Sequence, residues 1–337
     1  SATACCVWNR FSLLPHVVIY IGERLCHTSG NGIEGGALFG ELVTAYLFLA
    51  GVGAGGVAAA SVADLLFVRE PFGADVVPDF AEKRPAERLV AGVLALSCGA
   101  LALGAGCLAA DLGRADRVLS LFLAPPVTLM NLGAWAVALL TAVSGALAVW
   151  ALVASEVPRP ALWTCCLLGG ACALGVMGYT GLLLSDMVSI DFWHTPWLIT
   201  LFVASSLSCG AATIVGLDAA LSPPSCEVSR VAWGAGAVLG CVEAVVLIAF
   251  LAVQSGYTET ARASCEVLLA GSLAPTFWVG VCGVGLAVPL AVHAAVRLLP
   301  ARAAMMTSSL GVLAGGLLLR YCIVAAASFT PLALGAI

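Results

Sequence analysis

Four side chains combine reactive chemistry with a telling position: Glu41, Tyr179, Asp186 and His194. Each lies at the edge of a long apolar run. A tyrosine hydroxyl and an imidazole can hold the oxygens of a small polar ligand. A carboxylate or a suitably tuned histidine can take a proton. Glu41 heads the stretch ELVTAYLFLAGVGAGGVAAASVADLLFV, residues 41–68. A helical period of 3.6 puts Glu41, Thr44, Phe48, Gly51 and Gly55 on one stripe. Its lower part, Gly51-x-x-x-Gly55, is a small-residue surface that admits a second helix closely. Its upper part is a carboxylate and a hydroxyl, the wall of a polar pocket near the membrane surface. Tyr179 and Asp186 are seven residues apart and so are expected on one face. His194 opens the next apolar run after MVSIDFW, and Asn131 lies near the start of another. The structural counterparts of these readings are a belt tyrosine, a helix-start carboxylate that suits the helix dipole, an interfacial cap and a loop-edge charge.

Further charged groups lie deeper. Arg320 sits about two-thirds along the last run. An arginine at that depth is costly unless paired, so it is expected to face protein and meet Glu41 or Asp186, locking its helix. Glu243 is mid-run on the face of Gly236 and Gly240. His293 shares a stripe with Gly285 and Pro289. Asp64 and Asp218 lie near the opposite ends of their runs. Glu243, His293, Asp64 and Asp218 together read either as a proton path towards the pocket or as buried polar groups bonded to neighbouring helices.

The elements that must position these residues are membrane helices. The chain is 61 % hydrophobic and 10 % charged, whereas soluble domains carry about 25 % charged residues. A span needs about 20 apolar residues at about 1.5 Å each. Eight runs meet that length: about 41–68, 87–110, 128–154, 161–185, 194–220, 231–253, 275–298 and 306–326. Breakers such as Pro71-Phe72-Gly73, Pro125-Pro126, Pro158-Arg159-Pro160, Pro223-Pro224 and Pro300 separate them. Residues 13–21 are too short to span and read as an interfacial or partner-contacting segment. The start at Ser1 reads as trimmed or partial. Loops are short apart from 69–86 and 254–274. No large soluble domain is inserted, so a catalytic cofactor domain is expected on another polypeptide.

Loop charge sets the expected orientation. Eight Lys and Arg (Arg69, Lys83, Arg84, Arg88, Arg159, Arg230, Arg297 and Arg302) follow spans 1, 3, 5 and 7. Four (Arg24, Arg114, Arg117 and Arg262) lie on the other side. This places both termini outside. The net charge is −5, and no long basic run suggests nucleic acid. The 14 cysteines show neither CxxC nor CxxCH, so iron–sulfur and c-type haem signatures are missing. Most read as small buried apolar residues; Cys5, Cys6 and Cys26 precede the first span and leave pairing open. Of the histidines, His16 and His27 precede the spans, while His194 and His293 sit at opposite depths, so a bis-histidine haem is not expected.

Four stretches carry a resemblance to a known family: AYLFLAGVGAGG (45–56), VTLMNLGAWAVAL (127–139), GYTGLLLSD with FWHTPWLITLFVASSLSCGAA (178–186 and 192–212), and LLLRYCIVAAA (317–327). In this order they resemble the NrfD/PsrC-type membrane subunits of polysulfide reductase and its relatives. The resemblance implies an all-α polytopic membrane protein with eight transmembrane helices arranged as two four-helix bundles. The corresponding segments are an extracytoplasmic 1–40, a first bundle over 41–185 and a second over 186–337. It implies a quinone pocket on the outer side of a prokaryotic inner membrane, beside a four-cluster ferredoxin-like iron–sulfur subunit, with a molybdopterin subunit beyond. Tyr179 looks like the family's quinone-contacting tyrosine, and Glu41 falls near its polar helix-1 entrance. His194 stands where FWNTP is common, as an alternative donor or an added titrating group.

Quinol oxidation releases two electrons and two protons. It needs hydrogen-bond partners for both ring oxygens, a proton acceptor and an apolar slot. The expected site residues are therefore Glu41, Tyr179, His194 and Asp186, with Asn131 and Arg320 around them. The bound substrate is menaquinone or ubiquinone, with no haem and no iron–sulfur cluster on this chain. Competing readings are a proton-translocating member of the family, a secondary transporter with broken helices, and an anchor without quinone chemistry.

Overall fold

A computed structural model describes residues 33–68, 85–112, 129–153, 159–187, 190–221 and 227–327. Cys5, Cys6, Cys26, His16, His27, residues 13–21, most of the 69–86 loop and both termini lie outside the described residues. Among the described residues the structure is helical throughout. The helices are α1 (Ile33–Ala63, continued by a π turn, Asp64–Val68), α2 (Pro85–Leu112), α3 (Leu129–Val153) and α4 (Arg159–Ser185). They continue with α5 (Pro196–Leu221), α6 (Glu227–Ser255), α7 (Glu259–Leu269), α8 (Thr276–Ala294) and α9 (Ala301–Ala325). All but α7 are long and apolar enough to cross a membrane, so eight spans stand where the apolar runs placed them. The protein is a multi-pass membrane protein.

Two boundaries differ from expectation, each for a local reason. The first helix begins at Ile33, so Glu41 lies more than two turns inside it rather than at its head. The 254–274 loop contains α7. Thr258 caps it by accepting a hydrogen bond from the Ala261 N–H, and its polar faces kept it from reading as a span.

α1 and α5 form the centre. α1 packs on α2, α4, α5 and α9, and α5 packs on α1, α4, α6 and α9. Within the first four spans, α2 also packs on α3 and α3 on α4. Within the last four, α8 packs on α9 and touches α6. The close crossings are made by glycine. A Cβ on Gly55 would overlap the Ser206 carbonyl, and one on Gly210 would overlap the backbone of Gly55. Gly285 and Gly315 form a second crossing, between α8 and α9. In lipid there is little hydrophobic force between helices, so close van der Waals contact of this kind holds them.

α8 is unusual along its length. Thr276–Ala287 is π-helical, with the Val288 N–H bonded five residues back to Gly283, and Pro289 follows in the α-helical remainder. Wide turns of this kind often mark functional positions.

Gly55→Ala is expected to lower the thermal midpoint of the purified chain in detergent, by overpacking of about 1–3 kcal/mol. Gly99→Ala is the control. Gly99 faces open space with nothing within 4 Å, and it is expected to leave the midpoint unchanged or slightly raised.

Candidate functional site

The Glu41 end of the helices holds a bolted loop. Residues 190–195 join α4 to α5. The Trp193 indole donates to the Ile323 carbonyl at 2.9 Å. Gln254 Nε2 donates to the carbonyls of Asp191 and Phe192. The Asp191 carboxylate accepts from the Thr258 and Thr260 hydroxyls at 3.0 and 2.6 Å. The loop is thereby fixed to α6, α7 and α9. His194 is exposed at its rim, with Nδ1 2.9 Å from the Ser185 carbonyl at the end of α4. Thr195 Oγ1 accepts from the Trp197 N–H, with Pro196 at the first helical position. The bond to Ser185 makes His194 a cap for α4 as well as a surface group.

Beside this loop, inside the first four spans, two phenols meet. Tyr179 of α4 is 6 % exposed and Tyr46 of α1 is 1 % exposed. Their hydroxyls face each other closely enough to interact, yet Tyr46 Oη makes no hydrogen bond within the chain. The ring of Tyr179 lies in a cradle on α3, where a Cβ on Gly133 would overlap it. Asn131, half-buried, stands two residues before that glycine. Thr44 is buried one turn above Phe48, while Glu41 is exposed. Asp186 is exposed in the turn after α4. Tyr179 and Asp186, expected on one face, thus part company: the helix ends at Ser185, and the turn carries Asp186 outward while Tyr179 stays inside.

Tyr46 is the residue that sequence reading missed. It lies off the Glu41–Gly55 stripe, and one buried face was expected for this helix. α1 is buried on several sides, so a second stripe also faces protein. A tyrosine one turn into an otherwise apolar run was the available signal.

Arg320 corrects a further expectation. It meets neither Glu41 nor Asp186. The guanidinium is fully buried between α1, α5 and α9. Nε donates to the Leu47 carbonyl at 3.1 Å. Nη1 donates to the Gly316 carbonyl at 2.8 Å and to Ser205 Oγ at 3.3 Å. Nη2 donates to Ser206 Oγ at 2.9 Å. The rings of Phe48 and Phe202 lie 5.9 and 5.4 Å from its central carbon, within cation–π range. Gly51 is required here because a Cβ would overlap Nη2. The carboxylate that does sense this charge is Glu243 of α6, 7 % exposed and facing Ser205 and Ser208. Glu41 and Asp186 were reasonable partners by height. Helix rotation and the nearness of α6 chose otherwise.

The deeper set divides. Glu243 and His293 line one cavity with Gly236, Gly240, Gly285 and Pro289, as their stripes implied. Asp64 instead sits against α4 among the first four spans, where it accepts from the Cys166 thiol at 3.4 Å. Asp218 lies beside Ser229 and does not line that cavity. Among the described residues there is no cluster of side chains suited to a metal ion.

Eight apolar spans, a glycine-crossed core and a buried phenol pair beneath a bolted loop define a helical membrane subunit with a polar site near one surface. The family described as Polysulphide reductase, NrfD matches residues 31–332, and the chain belongs to it. The chain is 34 % identical over 156 residues to the C subunit of polysulfide reductase from Wolinella succinogenes, covering 45 % of this chain and 49 % of that protein. It is 31 % identical over 163 residues to protein NrfD of Escherichia coli, again 45 % and 49 % of the two proteins. The chain therefore spans about half the length of the curated relatives it matches.

Arg320→Met is expected to destabilise the chain by about 3–5 kcal/mol, because it strands a buried carboxylate. Adding Glu243→Gln is expected to restore part of the loss. Thermal unfolding of the single and double variants in detergent checks both.

Proposed function

We propose that the chain is the membrane anchor and quinol-reactive subunit of a multisubunit oxidoreductase. In this reading it passes electrons between menaquinol or ubiquinol and an iron–sulfur subunit docked at the Glu41 end. That subunit is ferredoxin-like with four clusters, and a molybdopterin catalytic subunit stands beyond it. Membership of the family and the names of the two relatives support a role in a reductase complex. The observation that carries the site is the Tyr46–Tyr179 pair. A buried hydroxyl without a partner is costly, and a quinol oxygen between the two phenols would satisfy it. The Gly133 cradle holds the Tyr179 ring in place for that contact.

The chemistry requires two electrons to leave the quinol for the partner's clusters and two protons to leave for water. Tyr179 and Tyr46 hold one ring oxygen by hydrogen bonds. His194, Asp186 and Glu41 lie exposed at the surface above and accept protons on their way out. Asn131 borders the cradle. Arg320 acts one step removed: its bond to the Leu47 carbonyl holds the turn of α1 that carries Tyr46. The spans α1, α5, α6 and α9 run unbroken, which disfavours the transporter reading and its unwound midplane site.

Tyr179→Phe and Tyr46→Phe are each expected to lower quinol-linked reductase activity of the membrane complex about tenfold or more. Activity with a soluble artificial donor that bypasses the membrane subunit should stay unchanged. Full quinol-linked activity in both variants would reject the site.

A further inference from the structure

The cavity among α5, α6, α8 and α9 does not touch the phenol pair. Glu243 of α6 and His293 of α8 line it, with Ser208 of α5 and Ser308 and Ser309 of α9 between them. Glu243 is mid-span. His293 stands at the last turn of α8, away from the Glu41 end. α6 and α8 run in opposite directions, and helical side chains lean towards their own N-termini. Glu243 and His293 therefore lean towards one another along the cavity. His293 displays this directly, since its Nδ1 reaches back 2.7 Å to the Pro289 carbonyl.

The walls require water. The cavity offers about 20 Å³ to water-sized molecules, and one water needs roughly 10–15 Å³. The hydroxyl oxygens of Ser208 and Ser309 are buried without a hydrogen-bond partner in the chain. Ser208 faces the Glu243 carboxylate but not in bonding geometry. Buried polar groups in folded proteins are satisfied by protein or by ordered water.

The two ends are set up for proton exchange. Arg320 offsets the charge of Glu243 from α9, but its donors go to Leu47, Gly316, Ser205 and Ser206. The carboxylate is neutralised at a distance and keeps lone pairs for the cavity. The other groups facing it from α5 are Ser205, Ser208 and the Cys209 thiol. His293 has a carbonyl oxygen at each ring nitrogen, Pro289 at Nδ1 and Trp233 at Nε2, the latter 2.9 Å away. A carbonyl only accepts, so both contacts are hydrogen bonds only when each nitrogen carries a proton. Trp233 also stacks on the ring, 3.9 Å between centroids and 19° from parallel, an arrangement that favours a cation. Giving up a proton costs His293 one of its two carbonyl bonds and frees the ring to turn into the cavity.

We propose that this cavity is a proton-transfer site, in which water and the serine hydroxyls pass a proton between a ring nitrogen of His293 and the carboxylate of Glu243. The proton leaves nitrogen as an oxygen of the carboxylate gains one, and no electrons move. The site is reached from the end of the chain opposite to the phenol pair. It stands whether or not the quinol reading does.

The test is infrared spectroscopy of the full chain in detergent, as pH-difference spectra in H2O and D2O. The wild type should show a titrating carboxyl band that is lost in Glu243→Gln and displaced in Glu243→Asp. The deuterium exchange of that band should slow by about tenfold or more in His293→Gln, and likewise in Ser309→Val, which fills the cavity but keeps both titrating groups. Tyr179→Phe should leave band and exchange unchanged, which separates this proposal from the quinol site. A band that persists in folded Glu243→Gln overturns the proposal. If that variant does not fold, a band unmoved in Glu243→Asp does so. Wild-type exchange rates in both His293→Gln and Ser309→Val also overturn it.

Discussion

A guanidinium with no access to water governs how the central helices meet. Arg320 is wholly enclosed, and an unpaired charge at that depth in lipid costs several kcal/mol. Its bonds run to three helices, to main-chain oxygens of Leu47 and Gly316 and to hydroxyls of Ser205 and Ser206. Carbonyls already engaged in a helix still hold a spare lone pair, so the charge is satisfied without unwinding any span. The geometry demands small neighbours. Gly51 and Gly316 flank the guanidinium, and a side chain at either would push into it or into Cys209. The same constraint draws α1 and α5 together one turn further on, where Gly55 and Gly210 cross.

This joint connects the two polar regions. On one side Leu47 follows Tyr46, which faces Tyr179. On the other, Ser205 is shared with the carboxylate of Glu243, which opens on the cavity. Hydroxyls, a guanidinium and carboxylates thus follow one another through an interior otherwise made of Leu, Val, Ala and Gly. The order is uneven in strength. Arg320 is multiply bonded, whereas Tyr46, Ser208 and Ser309 keep hydroxyls with no protein partner. Tight bonding at the joint and open valences at either side suit a rigid centre with exchangeable ligands or water at its flanks.

The loop 190–195 shows how surface chemistry is held on such a frame. Asp191, Gln254, Thr258 and Thr260 bond to one another rather than to solvent, and Trp193 is buried against α9. A tryptophan that composition places in an interfacial belt is here a pin between α9 and the loop.

The amino-acid sequence by itself determined the eight spans, the family likeness and the helical stripes on Glu243 and His293, because burial of about 20 apolar residues and a 3.6 period are local, additive properties. It also placed Gly51 and Gly55 at a helix contact, since small residues mean close approach in lipid. Only the tertiary structure decided who meets whom. The Leu47 carbonyl reaches Arg320 across 273 residues of chain, and a backbone acceptor leaves no mark in a sequence. Tyr46 became part of the site because α1 is surrounded, a fact of packing and not of pattern. Asp186 left it because one turn ended at Ser185. Partner choice depends on helix rotation and on neighbours distant in sequence, so it is settled when all the spans pack together.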